Sequence, residues 1–561
     1  MSKNNILLLL SFLLIIASFL SCKKNAAENE TIMPDDSVVV IKKVFYPLHI
    51  DSTKIAAFIK TYPVFSFHAE EIKTFYKNRD SRSAWFNEYG IVEQGGLFIN
   101  LLDHFDEEGL KDSVIYYSKL KKQYNIISDL NYSYSGADSL TTQFELMLTA
   151  EFFIYAQKVW FGLNEKTTKE LDWYITRKTI PSVSMLDSIL AGGKNSFTAF
   201  DPLFPQYPLL KKYLKKYKEI PDSIVWNKLI LPQGIKFYKE GDSASIIPII
   251  KFRLNILGDL AENDSSQVFD VTMGEAVKKF QSRHGLKPDG SIGEKFLAEI
   301  NVTPAERKQQ LELNMERCRW IPNETGENYI LVNIPAYKMY IYEEDTLNFT
   351  INVVVGKSTT STTIFNDELE YVVFSPYWVP PPSILNNEIL PSLKKNKNYL
   401  EKENMEAFDG NGKTIDVSNV DWSSYSKMPY RIRQKPGGNN SLGWVKFLFP
   451  NEHNIYFHDT PSRSLFKESQ RNFSHGCIRL EEPKKLAEYL LRNDSIYTQQ
   501  KIDSLYYLGK ETYVKLKEKT PVFLVYFTAW VDETGEINFR KDIYGHDAKL
   551  EKTLFIRSDK L

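Results

Sequence analysis

Apolar residues recur three and four positions apart through much of the first 234 residues, a spacing that lines one face of an α-helix. The stretches 145–155 and 207–214 show this spacing most clearly. Prolines separate stretches of this kind, and proline is a strong helix breaker. The pattern therefore predicts a mainly helical scaffold domain over residues 38–234.

A second, smaller helical unit is predicted for residues 243–302. Two stretches, 250–257 and 273–284, have the apolar spacing of amphipathic helices. A turn follows in which Gly290 is suited to a positive φ, and a third helix is predicted to begin at Ile292.

From residue 303 to 561 the helical spacing gives way to partial alternation of β-branched and aromatic residues, which is typical of strands. The predicted strands cover residues 329–334, 337–342, 349–355, 371–374, 521–528 and 537–543. The chain is therefore expected to be an α+β multidomain protein whose last domain is β-rich.

One charged, helix-prone stretch, residues 383–430, interrupts this β-rich domain directly after the prolines at 380–382. Three consecutive prolines end a strand because they cannot donate to a ladder. Long insertions between strands are often functional and frequently gate a site. We interpret residues 383–430 as a lid inserted over the site of the β-rich domain.

The first 22 residues are typical of a targeting segment. Lys3 precedes an apolar run of 15 residues, Ile6–Leu20, whereas a membrane-spanning helix needs about 20. The run leads to Cys22 in a sequence that resembles a lipobox, so Cys22 is expected to be lipidated and residues 23–37 to form a tether. The alternative is an uncleaved N-terminal anchor. Both interpretations predict a membrane-anchored protein of the cell envelope whose body lies in the periplasm.

The overall charge adds no sign of a nucleic-acid or polybasic membrane partner. The chain of 561 residues has a formal net charge of −1, with 43% hydrophobic and 25% charged residues. These values are ordinary for a globular protein, and a nucleic-acid binder would carry a basic excess.

The stretch 473–480 holds the strongest candidate chemistry. Cys477 follows Gly476 directly and His475 by two positions, and His458 lies 19 positions upstream. A nucleophilic cysteine needs a base or a positive field, which the two histidines and Arg479 can supply. Gly476 lets a substrate approach the backbone, whose N–H groups around residues 476 and 477 could face a developing oxyanion.

Two other interpretations of these residues stay open at this point. A cysteine beside a histidine is most often a buried apolar side chain next to a satisfied imidazole. Cys477, His458 and His475 are also zinc ligand types, although no paired-cysteine or helical double-histidine motif accompanies them. We expect no metal and no cofactor. Cys318 has apolar neighbours at helical spacing and is expected to be buried, so a disulfide with Cys477, which would consume the nucleophile, is not expected.

The sequence His458–Thr460, followed by a spacer and then Ser474–Arg479, resembles the signature of the L,D-transpeptidases, the YkuD-type cysteine enzymes of bacterial cell walls. Residues 76–86 resemble the scaffold domain of the large, multidomain, YcbB-like branch, and residues 243–302 resemble a peptidoglycan-binding module. Four flanking segments extend the likeness to that branch: Arg433–Gly437, Leu442–Gly443, Lys446–Phe447 and Phe449–Asn451.

The resemblance implies a transpeptidase that joins peptidoglycan stem peptides by 3→3 crosslinks. It implies that Cys477 forms a thioester with release of D-Ala, that His458 is the base, held by the backbone carbonyl of Asp459, and that His475 and Gly476 form the wall of the oxyanion pocket. It also implies acylation by carbapenems. The alternatives are a catalytically inactive wall-binding lipoprotein, an L,D-carboxypeptidase, or an enzyme that attaches proteins to the wall or releases them.

Four further side chains are candidates for binding the stem peptide. Arg479 is suited to meet a stem carboxylate or to orient its loop, and a purely structural role is the alternative. Tyr377, Trp378 and Trp444 could line the substrate groove, with core packing as the competing role for each.

Overall fold

The computed structural model describes residues 48–110, 114–129, 139–177, 181–192, 197, 203–322 and 325–556. The predicted signal segment, the predicted lipidation site Cys22 and the predicted tether over 23–37 lie outside the described residues. None of the helices in the described ranges has the length and apolarity needed to span a membrane.

The first part of the described chain is mainly helical, as predicted. Its helices are α1 (Ser52–Thr61), α2 (Ala69–Asn78), α3 (Glu93–Asp103), α4 (Tyr117–Ile127), α5 (Ser139–Tyr155), α6 (Glu165–Glu170), α7 (Ser182–Ala191) and α8 (Gln206–Lys218). Its short strands are β1 (Phe86–Asn87), β2 (Gly90–Ile91) and β3 (Trp173–Tyr174). A π-helix over Ala156–Phe161 continues α5, and 3₁₀ turns cover Pro63–His68 and Phe105–Glu108.

Helix α5 is buried almost all round, whereas its apolar spacing predicted a single buried face. Glu145 and Thr149 have internal hydrogen-bond partners, whereas Glu151 Oε1 has none among the described residues. The Glu145 carboxylate accepts hydrogen bonds from the Ala84 N–H at 2.6 Å and the Trp85 N–H at 3.1 Å. The Trp85 indole donates to the Thr149 hydroxyl at 2.9 Å. A buried carboxylate needs such partners to offset its desolvation, so the centre of this domain is a fixed polar network.

The small helical unit has its own apolar core, built from residues between Leu229 and Ile300. It contains α9 (Ile247–Ile256), α10 (Val271–Arg283) and α11 (Glu294–Ile300), with strands β4 (Phe237–Tyr238) and β5 (Ile292–Gly293). Gly290 has the predicted positive φ, +74°. The expected helix start at Ile292 is wrong, because Ile292 and Gly293 pair with β4 before the helix begins.

Helix α12 (Pro304–Cys318) joins this unit to the β-rich domain. A capping box fixes its start, since Thr303 Oγ1 accepts from the Glu306 N–H at 3.1 Å and Glu306 accepts from the Thr303 N–H at 2.7 Å. Cys318, at its end, is fully buried as predicted.

Eight strands of the last domain close into a ring. In order of pairing they are β13, β14, β16, β8, β7, β6, β17 and β9, and β9 pairs back with β13. The bounds are β6 (Tyr329–Asn333), β7 (Lys338–Glu343), β8 (Thr346–Gly356), β9 (Ile364–Phe374), β13 (Val445–Leu448), β14 (Phe457–His458), β16 (Ile478–Leu480) and β17 (Thr512–Val525). Strands β3 and β15 (Asn472–Ser474) join β9 and β8 at the margins.

The interior of the ring is apolar, with fully buried valine, isoleucine and phenylalanine from nearly every strand. Each such side chain contributes about 1.5–3 kcal/mol on burial, so this core is a rigid base for the site. Strand β9 is longer than the predicted 371–374 and the strand predicted over 537–543 is shorter, ending at Phe539. The closed sheet is accompanied by β18 (Ala529–Val531) and β19 (Ile537–Phe539), and by the helices α13 (Pro483–Leu491), α14 (Gln499–Tyr506) and α15 (His546–Glu551).

The stretch between β9 and β13 forms a long insertion. The two strands that it connects pair directly, Phe374 with Val445. It has a separate apolar core that includes Leu390, Leu393 and Trp422. Only its first half is helical, as a turn at Pro382–Ile384, a π-helix at Leu385–Ile389 and short helices at Leu390–Lys395 and Tyr399–Lys402. Its second half is a three-stranded sheet of β10 (Met405–Phe408), β11 (Thr414–Ile415) and β12 (Arg431–Gln434), which the charged composition did not predict.

Candidate active site

Cys477 lies in the short loop between β15 and β16, at one margin of the closed sheet. Gly476 has φ +113°, a conformation that residues with a Cβ rarely adopt. The Gly476 carbonyl accepts from the Thr362 hydroxyl at 2.7 Å, and the Cys477 carbonyl accepts from the Ser474 hydroxyl at 2.6 Å. The loop that carries the thiol is therefore held at both of these peptide groups.

One expected oxyanion donor is already engaged. The Gly476 N–H donates to Ser474 Oγ at 3.2 Å, so it does not point freely to a substrate as the sequence suggested. The role expected for Gly476 changes accordingly: its contribution is the positive φ that the loop requires, and the N–H of Cys477 is left as the candidate donor at this loop.

His458 reaches the same site from β14, which pairs parallel with β16 so that His458 lies beside Arg479 and Phe457 beside Ile478. Side chains two positions apart share one face of a strand. Tyr456 and His458 therefore share a face, as do Cys477 and Arg479, and the hydrogen bond between Tyr456 and Cys477 joins the two pairs.

A backbone hydrogen bond sets the tautomer of His458. Its Nδ1 lies 2.5 Å from the carbonyl oxygen of Asp459, the partner that the resemblance implied. A carbonyl can only accept, so Nδ1 carries the proton and Nε2 is left with a lone pair. Burial lowers the pKa of His458 to about 3, with a further lowering by the charge of Arg479. The imidazole is consequently a neutral base at physiological pH.

The Asp459 side chain fixes the backbone that holds this histidine. Its carboxylate accepts from the Thr460 N–H at 2.6 Å, from the Trp444 N–H at 2.9 Å and from Arg463. Gly443 packs so closely on it that an added Cβ would lie 2.3 Å from the carboxylate. Any larger residue at 443 would displace Asp459, so Gly443 belongs to the support of the site.

The Cys477 thiol is half-buried and has three polar neighbours. Burial raises its pKa, while hydrogen bonds from Tyr456 and the charge of Arg479 act in the opposite direction. Its Sγ also lies 3.6 Å from the carbonyl oxygen of Asn454. Tyr456 was not among the residues singled out from the sequence, although its place two positions before His458 on a strand was the signal that could have found it.

Arg479 is half-buried, and its Nε has no hydrogen-bond partner among the described residues. Its withdrawal from water lowers its pKa, and the nearby Cys477 opposes that shift. The guanidinium therefore faces the thiol and the imidazole, where it favours the thiolate and disfavours a protonated histidine.

His475 is exposed and points to the insertion. Its Nε2 lies 3.4 Å from the carboxylate of Glu388. Glu388 lies in the π-helix near the start of the insertion between β9 and β13. The sequence placed His475 in the wall of an oxyanion pocket, whereas the structure places it where the insertion meets the Cys477 loop.

The three aromatic candidates divide between two surroundings. Tyr377 lies under the Arg433 guanidinium, 4.3 Å from ring centre to Cζ. Trp378 packs against the core of the insertion and pairs through its backbone with Gln434. Trp444 packs against Tyr507, with 5.3 Å between ring centroids. Each makes the packing contact that was the competing interpretation.

In the described part of the chain, no group of three or more His, Cys, Asp and Glu side chains could hold a metal ion. The geometry instead joins a half-buried thiol, a neutral imidazole with a free Nε2 and a guanidinium. That set supports attack by sulfur on an acyl carbon with an imidazole as proton carrier.

Three family models match the chain: "L,D-transpeptidase catalytic domain" (YkuD) over residues 327–524, "Scaffold domain" over 70–214 and "Putative peptidoglycan binding domain" over 245–300.

Two curated relatives and two solved structures align with parts of this chain. A "Putative L,D-transpeptidase" of Haemophilus influenzae is 37% identical over 253 residues, which cover 45% of this chain and 50% of that protein. A "Probable CtpA-like serine protease" of Staphylococcus haemolyticus is 42% identical over 60 residues, which cover 11% and 12%. An L,D-transpeptidase structure from Xylanimonas cellulosilytica aligns at 13% identity and TM-score 0.18, covering 53% of this chain and all of that one. One from Stackebrandtia nassauensis aligns at 12% and 0.22, covering 51% and 94%.

Residues 327–524 are therefore an L,D-transpeptidase catalytic domain of the YkuD family. The chain thus combines regions that match an L,D-transpeptidase catalytic domain, a scaffold domain and a putative peptidoglycan-binding domain. It spans about half the length of its Haemophilus influenzae relative.

Proposed function

We propose that this protein is an L,D-transpeptidase that crosslinks peptidoglycan stem peptides through a thioester on Cys477. The observation that carries the proposal is the pairing of β14 with β16, which brings the neutral His458 beside the Cys477 loop. The donor would be a tetrapeptide stem whose third residue is a diamino acid and whose fourth residue is D-Ala.

The first half-reaction is acyl transfer to sulfur. Cys477 Sγ attacks the carbonyl carbon of the third stem residue, and His458 Nε2 takes the thiol proton. The carbon–sulfur bond forms, the peptide bond to D-Ala breaks, and the imidazolium returns the proton to the leaving amine. Because the raised pKa of Cys477 and the lowered pKa of His458 both favour neutral groups at rest, proton transfer accompanies the attack.

The second half-reaction resolves the thioester. The side-chain amine of another stem's third residue attacks the acyl carbon, gives its proton to His458 and releases the Cys477 thiolate, which is then reprotonated. The product is a 3→3 crosslink, and water in place of the amine would give L,D-carboxypeptidase activity. The Cys477 N–H is the donor we assign to the oxyanion in both steps.

Other parts of the chain fit this function. The lid, residues 383–430, would gate the site through the contact of its Glu388 with His475. Lipidation at Cys22 and the tether over 23–37 would keep the enzyme at a membrane, with its catalytic domain in the periplasm. Residues 243–302 would hold the enzyme on the wall.

The proposal is tested by incubating the full-length protein with purified disaccharide tetrapeptides and measuring the products by mass spectrometry. We expect a dimer joined through third residues, with one D-Ala released for each crosslink. Cys477→Ala is the matched inactive control, and Cys318→Ala should behave as wild type. Monomeric tripeptide as sole product would assign a carboxypeptidase, and unchanged substrate with a folded protein would contradict the proposal.

A further inference from the structure

A cavity of about 1050 Å³, separate from the Cys477 site, lies between the peptidoglycan-binding domain and the catalytic domain. Residues 281–296 form one side, and residues 335–338, 466–471 and 540–543 line the others. None of the residues assigned to the acyl-transfer site lines it. Its volume is at the upper end of the range of about 300–1,000 Å³ for small-molecule sites, so it suits a ligand of several units.

The cavity is strongly basic although the whole chain has a net charge of −1. Eight lysine or arginine side chains line it, against three aspartate or glutamate side chains. Lys287 and Lys467 are exposed at its opening, and Lys338 is half-buried. A concave surface of one sign focuses its potential and concentrates ligands of the other sign.

Two half-buried arginines in the cavity have carbonyl partners but no carboxylate. Arg471 donates to the backbone oxygens of Tyr337 at 2.9 Å and Glu468 at 3.0 Å. Arg540 donates to the backbone oxygens of Arg283 at 2.9 Å and Phe539 at 2.8 Å. Neither guanidinium forms an ion pair with any carboxylate of the described residues.

Cations withdrawn from water without a counter-charge are costly for a folded protein. Withdrawal from water lowers the pKa of Arg540 to about 10, and the charge of Arg471 adds to that lowering. Tyr340, Glu299 and Asp532 oppose the lowering without forming an ion pair. A bound anion would supply the missing counter-charge. Guanidinium and ammonium groups form charge-assisted hydrogen bonds with oxyanions, which makes a carboxylate a suitable ligand.

The walls of the cavity are held together by direct contacts. The turn at Gly285 packs on Arg540 so closely that an added Cβ would lie 2.7 Å from its Cδ. The His284 ring stacks on Phe539 with centroids 5.5 Å apart, and Lys279 pairs with Glu536 at 3.1 Å. The cavity is therefore a preformed site and not a loose gap between two domains.

We propose that this cavity binds a carboxylate-bearing stem of a peptidoglycan strand, with Arg471 and Arg540 as its inner anchors and Lys287, Lys338 and Lys467 around them. The choice of peptidoglycan rests on the proposed function. It is favoured by the peptidoglycan-binding domain on one side and by the loop 466–471 on the other, which runs directly into β15 and Cys477. The site would hold a stem outside the reaction itself.

The test measures binding of a disaccharide tetrapeptide to the full-length chain by calorimetry, in a Cys477→Ala background that prevents turnover. Reversing two exposed charges, Lys287→Glu with Lys467→Glu, should weaken binding about tenfold, because each lost attraction becomes a repulsion. The matched control, Lys212→Glu with Lys216→Glu on α8, makes the same change in net charge away from the cavity. It should stay within about twofold of the parent.

Two further probes identify the ligand. The same disaccharide tetrapeptide with amidated carboxylates should bind the parent as weakly as the free acid binds the charge-reversed chain. Vesicles of anionic lipid test whether the basic surface prefers phosphate head groups. Equal binding of acid and amide, equal affinity of the two double variants, or charge-sensitive binding confined to vesicles would each overturn the proposal.

Failure of this inference is distinguishable from failure of the proposed function. With Cys477 intact, turnover of a saturating free tetrapeptide should be the same in the charge-reversed and control variants. Turnover together with charge-insensitive binding overturns the cavity alone. Charge-sensitive binding of the disaccharide tetrapeptide without any turnover supports the cavity and overturns the transpeptidase assignment.

Discussion

Cys318 and Cys477 are two cysteines of one chain with opposite surroundings. Cys318 ends a helix, is fully buried, and has only the charges of Arg317, Arg319 and Glu316 near its thiol. Cys477 lies in a loop between strands, with Tyr456 donating to its sulfur and His458 on the adjacent strand. Both thiols have a raised pKa because both are withdrawn from water.

The direction of the pKa shift therefore does not distinguish the two cysteines. A substrate can reach only the half-buried thiol, and only that thiol has a neutral imidazole and a hydroxyl beside it. Reactivity here depends on what can accept the proton during attack and on access. Each of the following experiments tests one part of that contrast.

The largest effect is expected from removing the sulfur itself. Cys477→Ala should lower turnover by at least about 10⁴-fold, as loss of a nucleophile does in related chemistry. A carbapenem, which carries a strained carbonyl, should add once to the wild-type chain and not at all to this variant. Intact-protein mass spectrometry measures the adduct, and one that persists on Cys318 would contradict the contrast.

Removing the base should make Cys477 behave more like Cys318. His458→Ala should slow carbapenem acylation by about 10²–10⁴-fold, the usual contribution of a general base. The measurement is the rate of adduct formation in rapid-quench mass spectrometry. His453→Ala, which changes a histidine outside the site, is the matched control, and equal rates in the two variants would remove His458 from the mechanism.

The pH dependence tests the burial of His458. Burial disfavours the imidazolium and lowers the pKa to about 3, so the base stays neutral as pH falls from 7 to 5. The acylation rate should change little, whereas an unperturbed histidine would lose roughly 30-fold over that range. In the unfolded chain His458 is protonated below about pH 6.5, whereas in the folded chain it stays neutral down to about pH 3. The free energy of unfolding should therefore fall as pH drops from about 6.5 toward 3. An acylation midpoint near 6.5 would show an exposed base.

Tyr456→Phe removes the hydroxyl that lies beside the Cys477 thiol and has no counterpart beside Cys318. The hydrogen bond should strengthen as sulfur gains negative charge, so its loss should slow acylation by roughly tenfold, in line with about 1.5 kcal/mol for a bond to a charged group. Protein melting temperature should change little. Tyr507→Phe is the matched control, and an unchanged rate in Tyr456→Phe would make that hydroxyl merely structural.

The smallest effect on activity is expected at Cys318. Cys318→Ala removes one buried sulfur from a packed helix end and should cost about 1–2 kcal/mol of stability with no change in turnover. Denaturant unfolding measures the first quantity and the crosslinking assay the second. A loss of turnover greater than the loss of folded protein would give Cys318 a role that its surroundings do not suggest.

Features of the structure that depend on residues close together in the chain could be predicted from the sequence. The spacing of apolar residues predicted helices such as α5 and α8, and the signature around Cys477 identified the candidate nucleophile and base. The partner of His458, the carbonyl of the next residue along the chain, was implied by the family resemblance, and the structure shows that contact.

The parts that were missed depend on contacts between distant residues. The engagement of the Gly476 N–H by Ser474 Oγ requires the loop geometry itself. The contact of His475 with Glu388 crosses from the catalytic loop to the insertion, and no pattern at either position predicts the other. The strands of the insertion were hidden because their few residues alternate within strongly charged text.

The insertion leaves and rejoins the ring at Phe374 and Val445, which are paired neighbours on adjacent strands. Adjacent strands lie about 4.8 Å apart, so a tight hairpin turn could close the same gap. The sheet therefore does not require a particular length or fold of the insertion that connects these two strands. A chimera that exchanges this segment should therefore keep the pairing of β9 with β13.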